Sequence, residues 1–173
     1  EERVFKVAID EDKAERLRAE ARALRLVGGG NVVQLRGKGL AELVGRTVLQ
    51  LEYAGPESLG AKLRAEGKLG PHLLERFGDD LFHALDQLAA KGVRHRDLKP
   101  DNLAIFKRKD RTLQLMLFDF SLADASDRDV KAGTRGYLDP FLGSVRRALY
   151  DDHAERYAAA VTLTVPGRHD IAR

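Results

Sequence analysis

The apolar positions of the chain change period several times, and each change marks a predicted element. Arg3 to Ile9 (RVFKVAI) alternates and is rich in β-branched and aromatic side chains, which predicts a strand. From Asp10 to about Val27 the period lengthens. Ala14, Leu17, Ala21 and Leu24 recur at steps of three and four with charges between them, the pattern of an amphipathic helix. Asp10 or Asp12 supplies its cap, and Gly28-Gly29-Gly30 ends it. Asn31 to Leu35 and Thr47 to Tyr53 read as two more strands. Gly55-Pro56 then breaks the chain. Ser58 caps a short helix to Glu66, and Pro71 opens a longer one to about Lys91. The apolar stripe of that longer helix is Leu74, Phe77, Leu81, Leu85 and Leu88, and Gly92 stops it. Leu103 to Phe106 and Leu113 to Phe118 form a hairpin around the polar turn Lys107 to Arg111. A loop-like stretch follows from Asp119 to about Pro140. An alanine-rich helical pattern covers Asp151 to Leu163, and Pro166-Gly167 ends it ahead of a polar tail. Strands and one helix come first and helices dominate later, which predicts an α+β layer followed by a helical layer.

Composition narrows the classes without choosing one. The 173 residues are 43% hydrophobic and 33% charged, enough to build a core and too apolar for a disordered tail. No run approaches the roughly 18 unbroken apolar residues of a membrane helix, and no apolar signal core follows Glu1-Glu2-Arg3. The chain has no cysteine, which removes disulfides, cysteine-ligated zinc and thiol nucleophiles and fits a reducing cytoplasm. The five histidines show no zinc spacing. The net charge is only +3. Arg16, Arg18, Arg22 and Arg25 share a helix with Glu15 and Glu20, so a solvated face accounts for them better than a nucleic-acid stripe. Neither a nucleic acid nor a membrane is expected as a partner, and nothing in the sequence speaks to oligomeric state.

The chemistry concentrates in Val93-Arg94-His95-Arg96-Asp97-Leu98-Lys99-Pro100-Asp101-Asn102, a loop between a long helix and a hairpin. An acid, a lysine two residues on and an asparagine three beyond that form a compact polar kit. Phosphoryl transfer needs such parts: a carboxylate to accept a hydroxyl proton, a cation to offset phosphoryl charge, and a neutral oxygen to help hold magnesium. A solvated turn explains any one of these residues but not the ordered run. Leu117-Phe118-Asp119-Phe120-Ser121 then delivers a second acid at a strand end, suited to a hard cation such as Mg²⁺. Taken alone, that acid reads as a turn former.

These two motifs, followed by Gly133-Thr134-Arg135-Gly136-Tyr137-Leu138-Asp139-Pro140, resemble the eukaryotic-like protein kinase family, closest to bacterial Ser/Thr kinases. The resemblance implies ATP and Mg²⁺ as cofactors and a protein Ser/Thr hydroxyl as acceptor. It makes Asp97 the catalytic base, Lys99 the γ-phosphate contact, and Asn102 and Asp119 the metal ligands. His95 would pack near Phe120, Arg96 would meet an activation-segment phosphate, and Thr134 would bridge Asp97 and Lys99. Lys6 resembles the strand lysine that holds the α- and β-phosphates, with Glu20 as its helix partner and Glu15 as the fallback. Leu51 becomes the gatekeeper, the backbone around Glu52 and Ala54 meets adenine, and Glu57 or Ser58 reaches the ribose. Glu155 takes the place of the family's usual Asp in the helix that anchors the catalytic loop. Ser121, Ser126 and Thr134 are candidate phosphorylation sites.

Several features depart from the family pattern. No Gly-rich loop precedes Lys6, Ser121 replaces the glycine after Asp119-Phe120, and Phe141 follows Pro140 where the family has Glu. Gly28-Gly29-Gly30 and Gly37-Lys38-Gly39 come after Lys6 and read as turns. The expected architecture is therefore a kinase-like two-lobed α+β fold truncated at both ends. It has a partial small lobe over 1–53, whose sheet keeps an unpaired edge, a partial large lobe over 54–165, and a tail over 166–173. The leading function is a partial Ser/Thr kinase domain. A pseudokinase-like nucleotide-binding or scaffold module is the alternative, and a small-molecule phosphotransferase ranks third.

Overall fold

The computed structural model describes residues 2–144 and 148–164, and within them two three-stranded antiparallel sheets carry the chain. The first sheet takes β1 (Arg3–Val7), β2 (Leu35–Leu43) and β3 (Arg46–Glu52) in the order β1-β3-β2. Helix α1 (Glu11–Val27) packs against β2 and β3. Asp10 caps α1 by accepting from the Lys13 amide at 2.7 Å. All four residues of the expected stripe are buried, and Glu20 is buried with them. In register, Val4 opposes Leu51 and Lys6 opposes Leu49, so these four side chains share one face of the sheet. Strand β1 lies at the sheet's edge, as the sequence led us to expect.

The second sheet orders β4 (Glu57–Ser58), β5 (Leu103–Lys107) and β6 (Leu113–Leu117). Ser58 caps α2 (Leu59–Glu66) through the Ala61 amide at 3.1 Å. Helix α3 (Pro71–Ala89) packs against β6 and α4 (Asp152–Thr164). Phe77, Leu81, Leu85 and Leu88 are buried on its inner face, each contributing roughly 1.5–3 kcal/mol. Leu74 is exposed, and Leu73 beside it in the first turn packs against the core instead. A single apolar cluster joins α1, β3 and the 32–33 segment to α3, β5, β6 and Phe120.

One predicted strand is misplaced. Asn31 to Leu35 was expected to form it, but β2 begins at Leu35 and runs to Leu43. The backbone at 31–33 is taken instead by the second sheet: Leu117 N donates to Asn31 O at 2.8 Å, and Val33 N donates to Leu117 O at 2.9 Å. Gly37 and Gly39, which read as turn residues, lie inside β2 at positive φ and shift its register between Leu35 and Leu40. At Gly37 the φ of 57° is left-handed backbone that favours glycine, so the bulge is best served by glycine there. No helix among the described residues is long and apolar enough to cross a membrane. The predicted helix stop at Pro166-Gly167 and the tail over 166–173 lie outside the described residues.

Candidate active site

Strand β1, helix α1 and the end of β6 converge on one partly buried ion cluster. Lys6 Nζ lies 2.8 Å and 3.0 Å from the two carboxylate oxygens of Glu20, and 3.1 Å from Asp119 Oδ1. Glu20 is 1% exposed and also accepts from the Phe120 amide at 3.2 Å. Burial disfavours the Lys6 ammonium, but Glu20 and Asp119 outweigh it and raise the lysine's pKa above its ordinary value. Burial likewise works against the Asp119 carboxylate. The Lys6 charge and hydrogen bond, then the His95 charge and a hydrogen bond from Ser121, more than offset it and lower that pKa. Glu15, the fallback partner for Lys6, lies on the solvent side of α1 and pairs with Arg18 and Arg22.

The loop after α3 supplies the second cluster. Thr134 donates its hydroxyl to Asp97 Oδ1 at 2.5 Å, and Lys99 Nζ lies 2.7 Å from Asp97 Oδ2 and 2.9 Å from Thr134 Oγ1. Asn102 donates its amide to Asp97 O at 2.8 Å and to Oδ2 at 3.2 Å. That commits its N–H groups and leaves Oδ1 without a donor among the described residues. The hard oxygens of Asn102 and Asp119 fit a divalent cation. No cluster of three His, Cys, Asp or Glu suited to a resident metal occurs among the described residues. Two protein ligands suit Mg²⁺, which keeps several waters and shares its site with substrate phosphates.

The loop's backbone is held from below. Glu155 of α4 is buried and accepts from Arg96 N at 2.7 Å, His95 N at 3.2 Å and the Tyr150 hydroxyl at 2.8 Å. Burial, then the Glu155 charge and its hydrogen bond, push the Tyr150 hydroxyl far up, so it remains a donor. His95 packs edge-on to Phe120 with ring centroids 4.7 Å apart, and its Nε2 lies 2.8 Å from Phe118 O. Arg96 and Asp119 both adopt left-handed backbone, with φ 68° each. An arginine or aspartate in that region is strained, and such strain concentrates at functional positions. Gly133 lets the later segment close on this loop: a Cβ there would stand 2.6 Å from Arg96 O.

A cavity of about 220 Å³ opens beside Lys6, lined by Val4, Val33, Leu51, Ala104 and Phe118 and closed by the 52–58 segment. Leu51, Glu52, Ala54, Glu57 and Ser58 therefore border one apolar space. The Glu52 carboxylate itself is turned to Gln34 N at 2.8 Å and Arg36 Nη2 at 2.7 Å, leaving the 52–58 backbone to face the cavity. Arg96 is the predicted site residue whose surroundings differ most from expectation. Its guanidinium is buried, with Nη1 3.2 Å from Asp127 Oδ1, Nη2 2.6 Å from Asp129 O, and Cζ 4.4 Å from the Tyr150 ring centroid. Asp127 and Tyr150 were not singled out from the sequence, since neither lies in a recognisable local pattern.

The chain is similar to known proteins over most of its length. The family model described as "Protein kinase domain" matches residues 3–165. The chain is 42% identical over 180 residues to a "Probable kinase PglW" of Streptomyces coelicolor, covering 92% of this chain and 12% of that protein. It is 32% identical over 171 residues to "CBL-interacting protein kinase 11" of Oryza sativa subsp. japonica, covering 95% and 32% respectively. It is 27% identical over 164 residues to "Serine/threonine-protein kinase pkn3" of Myxococcus xanthus, covering 89% and 29%. The chain thus spans no more than about a third of the length of these relatives.

Proposed function

The chain belongs to the protein kinase family, and from that premise we propose that it transfers the γ-phosphoryl group of ATP to Ser or Thr hydroxyls of proteins. The observation that carries this reading is the Asp97 carboxylate, held by Thr134, Lys99 and Asn102 in a loop joined to the Asp119 segment by the bond from Phe118 N to Asn102 O at 3.1 Å. We take residues 1–53 as the small lobe and 54–165 as the large lobe, with adenine in the cavity between Leu51, Ala104 and Phe118 and hydrogen-bonded by the backbone near Glu52 and Ala54. Lys6, oriented by Glu20, binds the α- and β-phosphates. Asp119 and Asn102 hold magnesium, which when bound offsets charge on the phosphates.

The acceptor hydroxyl lies against Asp97. As its oxygen bonds to the γ-phosphorus, the bond from that phosphorus to the β–γ bridging oxygen breaks and ADP departs. The hydroxyl proton passes to the Asp97 carboxylate. Lys99 lies beside the transferring group and balances its charge. Thr134 holds Asp97 Oδ1 so that Oδ2 and the acceptor are correctly placed. Relatives named as Ser/Thr kinases and the presence of Lys99 support a Ser/Thr acceptor. This reading places the activity in the cytoplasm, where ATP is available.

The test is transfer of labelled phosphate from Mg·ATP to a degenerate peptide library carrying Ser, Thr or Tyr as the sole acceptor, with Asp97→Asn as control. Transfer to Ser and Thr peptides, abolished by Asp97→Asn, is expected. Transfer that survives that substitution removes Asp97 as base. Binding of Mg·ATP with no transfer at all makes the chain a nucleotide-binding scaffold instead.

A further inference from the structure

Arg96 bears on regulation of the same site. Its guanidinium is 1% exposed and already enclosed: Asp127 Oδ1 and Asp129 O take its two terminal nitrogens, and the Tyr150 ring covers its face. A phosphate cannot reach this cation without displacing one of those groups. Asp127 is fixed by more than Arg96. Its second oxygen lies 3.1 Å from Arg94 Nη1, and its carbonyl accepts from Tyr150 N at 2.8 Å. Arg94 in turn pairs with Asp152 of α4 at 3.0 Å. The Asp127 carboxylate therefore joins Arg94 and Arg96 of the catalytic loop, its backbone carbonyl holds Tyr150, and Arg94 carries the link on to the start of α4.

The two arms of this junction differ in strength. The Arg94 arm is solvent-exposed and contributes little. The Arg96 arm engages a desolvated cation, and its loss would leave that cation buried without a carboxylate. We propose that Asp127 is a positioning residue for phosphoryl transfer: its carboxylate latches the activation segment to the catalytic loop through Arg96, so the acceptor groove around Thr134 is assembled with no covalent modification of the segment. Asp127 touches neither nucleotide nor acceptor and acts through Arg96, one residue before Asp97. This proposal rests on the kinase reading above, but its test has a readout that does not.

The experiment uses the full chain, dephosphorylated and checked by intact mass, with a degenerate Ser/Thr peptide library as acceptor. Wild type, Asp127→Asn and Asp127→Glu are compared. Kinetics are read alongside the rate of tryptic cleavage after Arg128, Lys131 and Arg135, which are exposed in the segment. Dephosphorylated wild type is expected to keep its activity within about twofold. Asp127→Asn is expected to raise the peptide KM about tenfold with the ATP KM unchanged, and to speed tryptic cleavage by a similar factor. Asp127→Glu, which keeps the charge, is expected to recover most of both. The latch is overturned if dephosphorylation abolishes wild-type activity, or if Asp127→Asn matches wild type in cleavage and peptide KM. It is also overturned if ATP and peptide KM shift together with no rescue by Glu, the mark of a general structural loss. If no variant transfers phosphate, the kinase reading fails and cleavage alone decides the latch: faster in Asn and restored by Glu keeps it, equal rates reject it.

Discussion

The loop at 94–99 and strand β1 both carry proposed site residues, and they are built in opposite ways. The loop at 94–99 has no regular secondary structure, yet His95, Arg96 and Leu98 are almost wholly buried. Side chains from elements far away in sequence satisfy its backbone, chiefly Glu155. Strand β1 is regular and fully laddered to β3, yet Val4, Phe5 and Val7 are exposed and the strand lies on an edge. It is tied toward the loop side of the site by Lys6, directly to Asp119 and through Glu20 to the Phe120 amide. Hydrogen-bonded regularity therefore does not measure how firmly a residue is placed. What matters is whether buried groups depend on it. The two regions should consequently fail in different ways.

The largest effect separates chemistry from scaffold. Asp97→Asn keeps an acceptor for Thr134 but removes the proposed base and turns an N–H donor toward Lys99 and Asn102, so kcat should fall about 10²- to 10⁴-fold while ATP affinity holds and melting temperature drops only slightly. Single-turnover kinetics beside nucleotide titration checks this. A parallel loss of ATP binding would show that Asp97 shapes the small-lobe half of the site as well. Next comes the scaffold itself. Glu155→Ala strands two backbone N–H groups and the Tyr150 hydroxyl in a buried place, and should cost about 3–5 kcal/mol in denaturant unfolding. Tyr150→Phe removes only one of those bonds and should cost about 1 kcal/mol. Equal costs for the two would mean that the Tyr150 bond, not the loop backbone, is what Glu155 supports.

This asymmetry also governs what could be read from the sequence. Asp97, Lys99 and Asn102 lie within six residues; the pairing of Lys6 with Glu20 is what the kinase resemblance implies, with the helix period favouring Glu20 over Glu15. Local spacing carries such information. Strand β2 was misread because Gly37 and Gly39 look like breakers in isolation, and only pairing with β3 turns them into a bulge. Asp127 lies 31 residues from Arg96, and Tyr150 is an ordinary tyrosine near a helix start. Their roles depend on the segment folding back across the loop, which no periodicity records. Arg96 illustrates both sides. Its place in the loop was legible, but the partner that occupies it was not.

The small-lobe side is weaker and should show it. Lys6→Ala removes the proposed charge-assisted contact to the α- and β-phosphates, worth about 1.5–3 kcal/mol, so nucleotide affinity should fall roughly tenfold to a hundredfold in calorimetric titration. An unchanged affinity would exclude Lys6 from phosphate binding. The pH profile sharpens the point. Asp119 has a folded pKa below its ordinary 3.8, so its contribution is complete above that value and is lost as pH falls through the lower folded one. Lys6 has a folded pKa above its ordinary 10.5, so its contribution is complete below that value and is lost as pH rises through the higher one. Stability contributed by this pair should be flat from about pH 5 to 9, measured as the difference between wild type and Lys6→Ala. A slope near pH 7 would show that another titrating group controls the cluster.

The smallest effect tests whether backbone strain means the same thing in both regions. Val44 has φ 50°, next to Gly45 at 69°, in the two-residue turn between β2 and β3. Hairpin turns of this hand favour Asn-Gly, and a β-branched residue fits them poorly. Val44 is 93% exposed, so nothing packs on its side chain to compensate. Arg96 and Asp119 have φ values of 68°, but there the surrounding groups do compensate: Glu155 bonds the Arg96 amide, and Lys6 bonds the Asp119 carboxylate. Val44→Asn should therefore stabilise the chain by about 0.5–1 kcal/mol. In a domain of this length that is a rise of about 1–4 °C in melting temperature, with kinetics unchanged. Arg96→Asn relieves the same kind of backbone strain but strips the cation from Asp127 and Tyr150, so it should destabilise. If both substitutions move stability in the same direction, local backbone preference outweighs the buried network, and the contrast between the two regions is wrong.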